Sequence, residues 1–109
     1  MGHSRCGAVA ATVQVLEQPD SLQSKNVRSI TDRIAPHIES LVRLAQKQGA
    51  DRQTLIREAE RANILASAAQ LRHGSALLEP LVSSGRVWVV GAEYKLETGQ
   101  VEFLDVRNG

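Results

Sequence analysis

The amino-acid sequence predicts an α/β fold in which helices dominate and a C-terminal β-hairpin supplies the sheet. Three observations carry that prediction. Apolar residues recur at helical spacing from Ser24 to about position 73. After Gly85 the period shortens, and β-branched and aromatic residues take over in RVWVVGAEYKLE. Trp88, Tyr94 and Phe103 are the only aromatic residues, so the core must come from Ala, Val, Leu and Ile, which pack helices more naturally than a sandwich. A 109-residue chain with 42% hydrophobic and 23% charged residues reads as one globular domain, 1–109, and not as a disordered, collagen-like or coiled-coil protein. A domain of that size buries roughly two thirds of its unfolded surface.

The elements follow in order. The opening Met-Gly-His-Ser-Arg-Cys-Gly runs into AVAATVQVL, whose small apolar residues suit a tightly packed short helix from about Cys6, after a glycine turn. QPDSLQS around Pro19 is polar and reads as a loop. Val27, Ile30 and Ile34 then keep helical spacing until Pro36, and Ile38, Leu41, Val42 and Leu44 resume it, which predicts two helices or one broken near Pro36. His37 would then start a helix.

Gly49 is a stop, and Asp51 an N-cap for the longest helix, over 51 to 73, with Leu55, Ile56, Ala59, Ala62, Ala66 and Ala69 on one apolar face. Arg57, Glu58, Glu60, Arg61 and Arg72 read as its solvated face, and His73 sits near its C-terminus. SALLEPLVSSG gives a short helix ending at Gly85. ETGQ is the turn of the hairpin, and VEFLDV its second strand, ending near Val106. Val87, Trp88, Val89 and Val90 are apolar on both faces of the first strand, a pattern of sheets covered on both sides, yet just one further convincing strand is offered. An apolar strand with an unpaired edge invites another chain, so a homo-oligomer or a complementary chain is expected.

Several function classes are excluded as expectations. A net charge of +1, with Arg residues alternating with acids, gives no field to hold nucleic acid. The longest apolar runs fall far below the roughly 20 residues of a membrane span, and no signal peptide is recognised, so the chain reads as cytoplasmic. Cys6 is the single cysteine and forms no intrachain disulfide; it is a buried thiol, a metal ligand or a reactive thiol.

Two residues separate His3 from Cys6, a spacing that puts an imidazole nitrogen and a thiolate on one zinc ion when the backbone turns, as Gly2 and Gly7 permit. Helical amides near Cys6 favour its thiolate. GHSRCGAVAA at 2–11 resembles the second zinc motif of β-class carbonic anhydrases, and GRVWVVGAEYKLETGQVEFLD at 85–105 resembles their late strand, Gly-Ala-x-Tyr turn and hairpin. The long helix with Asn63 and Gln70, and SALLEPLVSSG after it, fit the same family in the same order.

The resemblance implies the C-terminal portion of a β-carbonic-anhydrase-like fold, with His3 and Cys6 as zinc ligands. In that family zinc lowers the pKa of bound water to about 7, and the hydroxide attacks carbon dioxide to give bicarbonate. The family's first motif, Cys-x-Asp-Ser-Arg, which supplies a further zinc cysteine and an Asp-Arg dyad, has no counterpart among these residues. The expectation is a truncated domain, inactive alone, without a catalytic dyad of its own. The alternative is a non-catalytic remnant or interaction module, including a dimer in which two His3-Cys6 pairs close a structural zinc site.

Overall fold

Small side chains let the first helix lie close against the second, and this contact organises the core. The structure is a computed structural model that describes residues 1–21 and 23–105. Helix α1 (Gly7–Glu17) and helix α2 (Lys25–Gln48) pack together and against α3 (Arg52–His73), burying Val9, Val13, Ile34, Ile38, Val42, Leu55 and Ala59. Ser24 caps α2 by accepting the Val27 N–H at 3.2 Å, and Gly49 ends it in the left-handed conformation, φ 64°. Asp51 caps α3 through the Thr54 N–H, also at 3.2 Å.

Pro36 does not break the second helix: α2 is continuous for 24 residues. Pro36 removes the donor to the Asp32 carbonyl, but both residues are exposed, so water can meet that carbonyl. Ile34, Ile38 and Val42, at four-residue spacing on the opposite side, are buried and hold the helix through the proline. His37 therefore lies mid-helix, its Nε2 3.5 Å from Gln70 Nε2 of α3.

A short helix α4 (Glu79–Ser83) follows, and Gly85 turns the chain with φ 75°. The sheet has three strands in the order β1 (Gly2–His3), β2 (Ala92–Tyr94) and β3 (Val101–Phe103). β1 runs parallel to β2, with Gly2 opposite Glu93 and His3 opposite Tyr94. β2 and β3 are antiparallel, with Ala92 opposite Phe103.

This corrects the hairpin in two ways. The ladder of the first strand begins at Ala92 and not at Arg86, because β1 reaches back only to Gly2 and leaves 87–90 without a neighbour in the sheet among the described residues. The sheet also gains β1, too short to register as a strand by pattern. Pairing persists to Leu104, whose N–H reaches the Gly91 carbonyl at 2.9 Å; the expected end near Val106 lies outside the described residues.

The solvated face of α3 is corrected too. Arg57, Glu58 and Arg61 are exposed, but Glu60 is 3% exposed and Arg72 is half-buried, where it binds the Val89 carbonyl and the Asp105 carboxylate.

Candidate metal-binding site

His3 ends β1 and Cys6 is the N-cap residue of α1, so the two candidate ligands bracket the turn from sheet to helix. The turn is tied down on three sides. The Ser4 N–H donates to the Tyr94 carbonyl at 2.9 Å, and the Ser4 hydroxyl accepts the Leu96 N–H at 2.9 Å while donating to Glu97 at 3.0 Å. Arg5, the one non-glycine residue with positive φ among those described, sits at φ 56° and pairs with Glu97 at 3.2 Å. From below, Glu60 of α3 accepts the Cys6 N–H at 3.3 Å.

The His3 ring places Nδ1 2.7 Å from the Ser4 carbonyl. A carbonyl only accepts, so Nδ1 carries the proton and Nε2 keeps the lone pair that a metal would use. Cys6 is half-buried at the N-cap of α1.

Glu60 is the residue that pattern reading misplaced. Its burial raises its pKa above the ordinary carboxylate value; the Cys6 N–H opposes that shift, and nearby Glu93, itself 5% exposed, adds to it. One Glu60 oxygen, Oε2, is buried without a hydrogen-bond partner. The signal lay in its spacing: Ile56, Glu60 and Ile64 fall at four-residue intervals on one stripe of α3, and an acid inside such a stripe is a buried acid.

Glu60 and Glu93 lie in the wall of an open cleft of about 520 Å³, together with Ser4, Arg5, Arg57, Arg61, Lys95 and Glu97. The rim charges answer one another. Glu102 binds Lys95 at 3.1 Å and Arg61 at 2.7 Å, which hold its carboxyl below the usual range. Glu97 is lowered as well, by its own backbone N–H and the Ser4 hydroxyl.

A family model described as carbonic anhydrase matches residues 1–101 of this chain. The chain belongs to the carbonic anhydrase family. It is 33% identical over 102 residues to a carbonic anhydrase of Mycolicibacterium smegmatis, covering 94% of this chain and 46% of that protein. Its fold matches the structure of the β-carbonic anhydrase CcaA with a TM-score of 0.70 at 24% identity, over 95% of this chain and 48% of that one. The chain therefore has a β-carbonic-anhydrase-like fold and spans about half the length of these relatives.

Carbonic anhydrases of this family use zinc. Zinc takes three or four protein ligands. Among the described residues, no group of three or more His, Cys, Asp or Glu side chains is placed to hold a metal ion. The residues present thus do not make a complete zinc centre. The chain brings His3 and Cys6 to the two ends of one turn, and no helix among the described residues is long and apolar enough to cross a membrane.

Proposed function

We propose that this chain is a carbonic-anhydrase-like zinc protein that contributes His3 and Cys6 to a site for reversible carbon dioxide hydration, the remaining donor and an orienting Asp-Arg dyad coming from residues outside this sequence. By itself the chain is inactive. The observation that carries the reading is the braced turn: Ser4, Arg5 and Cys6 are held by Tyr94, Glu97 and Glu60, with His3 Nε2 free of the bond its other nitrogen makes. A structure that spends hydrogen bonds from three elements on one short turn is organised to hold the residues at its ends. The setting is cytoplasmic, where the single thiol stays reduced and able to bind metal.

Elemental analysis of purified protein and carbon dioxide hydration assays, on the chain alone and mixed with a separately produced N-terminal half of a full-length relative, test this. Zinc uptake and hydration in the mixture alone are expected. Activity of the chain alone, or a mixture that neither binds zinc nor turns over, would overturn it.

A second reading is favoured by one feature. Residues 87–90 are apolar and lack a ladder among the described residues, which supports an interaction module that pairs with another chain.

A further inference from the structure

The first half of α3, the Ser4-Arg5 turn and the β2-β3 hairpin wall the cleft of about 520 Å³, and the charges they bring to it do not all find partners. Glu93 and Glu102 stand opposite one another in the β2-β3 ladder, so they share the face of the sheet that α3 covers. Arg61 and Lys95 both bind Glu102, and Arg5 binds Glu97, which commits three of the four cations around the cleft. Glu60 and Glu93 are both buried, and neither is met by a cation among the described residues. Glu60 Oε2 has no hydrogen-bond partner there either.

The fourth cation, Arg57, lies three residues before Glu60 and reaches the other way, donating to the Thr54 hydroxyl at 3.4 Å. It has no carboxylate partner among the described residues. Three residues of helix rise about 4.5 Å, so the uncommitted guanidinium and the uncompensated acids are a short chain apart. Half-buried Ile56 lines the cleft beside them. A smaller groove of about 130 Å³ beside Val89 and Val90 has no charged side chain in its wall and makes no such demand.

We propose that the cleft binds a small zwitterion, a molecule whose primary ammonium group sits against Glu60 and Glu93, whose carboxylate binds Arg57, and whose methylene chain lies on Ile56. Buried acids without a counter-charge are costly, and an ammonium group supplies that charge where water is partly excluded. A simple anion would meet two acids at the floor, and a simple cation would leave Arg57 unanswered. A metal ion suits the floor less well, because no group of three or more His, Cys, Asp or Glu side chains is placed to hold one among the described residues. The volume lies within the roughly 300–1,000 Å³ of small-molecule sites.

Titration of the isotope-labelled, metal-free chain with γ-aminobutyrate, followed by NMR, tests this, with n-butylamine and butyrate as the two halves of the probe. Saturable shifts are expected at backbone amides of Gln53 to Arg61 and Glu93 to Glu97, with each half-probe at least about ten-fold weaker. Glu93→Gln should weaken γ-aminobutyrate and n-butylamine alike by about ten-fold, because it removes charge from the floor. Arg57→Ala should bring γ-aminobutyrate down to the level of n-butylamine and leave n-butylamine itself unchanged. Neither substitution removes the Glu60 bond to the Cys6 N–H, and Arg43→Ala on the exposed side of α2 should bind as the parent does. No binding, equal binding by Glu93→Gln and the parent, or equal loss of both amines in Arg57→Ala overturns the proposal. Calcium chloride that displaces the probe overturns it in favour of an inorganic cation. The protein carries no metal in these titrations, so failure here is distinct from failure of the zinc reading.

Discussion

The cleft beside the His3-Cys6 turn and the groove beside residues 87–90 share α3 as a wall and lie at the two ends of β1, yet they are built from opposite materials. The first half of α3 gives the cleft Arg57, Glu60 and Arg61; the second half gives the groove Ile64, Ser67, Ala68 and Leu71. In the cleft, the unmet demand sits on a side chain, Glu60 Oε2. In the groove, most lining side chains are apolar, and the backbone of Trp88 and Val90 makes no hydrogen bond among the described residues. One helix thus walls a charged cleft with its first half and a largely apolar groove with its second.

Ile64 lines the groove and also lies against Gly2 of β1, which leads into the His3-Cys6 turn, so it is where that contrast can be broken outright. A Cβ on Gly2 would sit 2.5 Å from Ile64 Cγ1, and one on Gly91 would sit 3.1 Å from Ile64 Cγ2. Ile64→Ala should cost about 2–5 kcal/mol in chemical denaturation, the usual range for truncating a buried isoleucine. It should loosen turn and groove together. Gly2→Ala should cost about 1–3 kcal/mol by overpacking, and Ile64→Val in the same chain should recover part of that loss. A Gly2→Ala chain as stable as the parent would mean that β1 does not lie against α3.

Glu60 and Asp105 sharpen the comparison, since they respond to acid in opposite directions. Asp105, with a depressed folded pKa, contributes stability that is present above its unfolded pKa and lost as pH falls through the folded value. Glu60, with a raised folded pKa, contributes stability that is present below its unfolded pKa and lost as pH rises through the folded value. Denaturation midpoints across the acidic range should therefore fall more steeply for Glu60→Gln than for the parent, and less steeply for Asp105→Asn. Parallel curves for all three chains would refute both assignments. Glu60→Ala at neutral pH should cost about 1–3 kcal/mol, because the Cys6 N–H loses its acceptor in a buried setting.

The smallest effect belongs to the cleft rim. Arg5 is exposed where it meets Glu97, so Arg5→Ala should leave the denaturation midpoint nearly unchanged, with any difference fading in salt. A larger, salt-insensitive loss would point instead to the left-handed backbone of Arg5 as the feature being disturbed.

Read from the chain alone, local chemistry was legible wherever it rests on neighbours in sequence. The cap at Asp51, the stops at Gly49 and Gly85, the turn at Gly99 and the adjacency of His3 and Cys6 depend on a few consecutive residues. The resemblance to a carbonic anhydrase rests on the same kind of signal, short motifs in order. Tertiary structure decided what depends on distant partners. Pro36 stays inside α2 because Ile34, Ile38 and Val42 are buried against other helices, and a propensity scale does not contain that burial. Glu60 is drawn out of solvent by a backbone N–H 54 positions away, and β1 exists as a strand only because residues 93 and 94 accept it. Local rules act through spacing along the chain, whereas burial and strand pairing are set by what the fold brings across it.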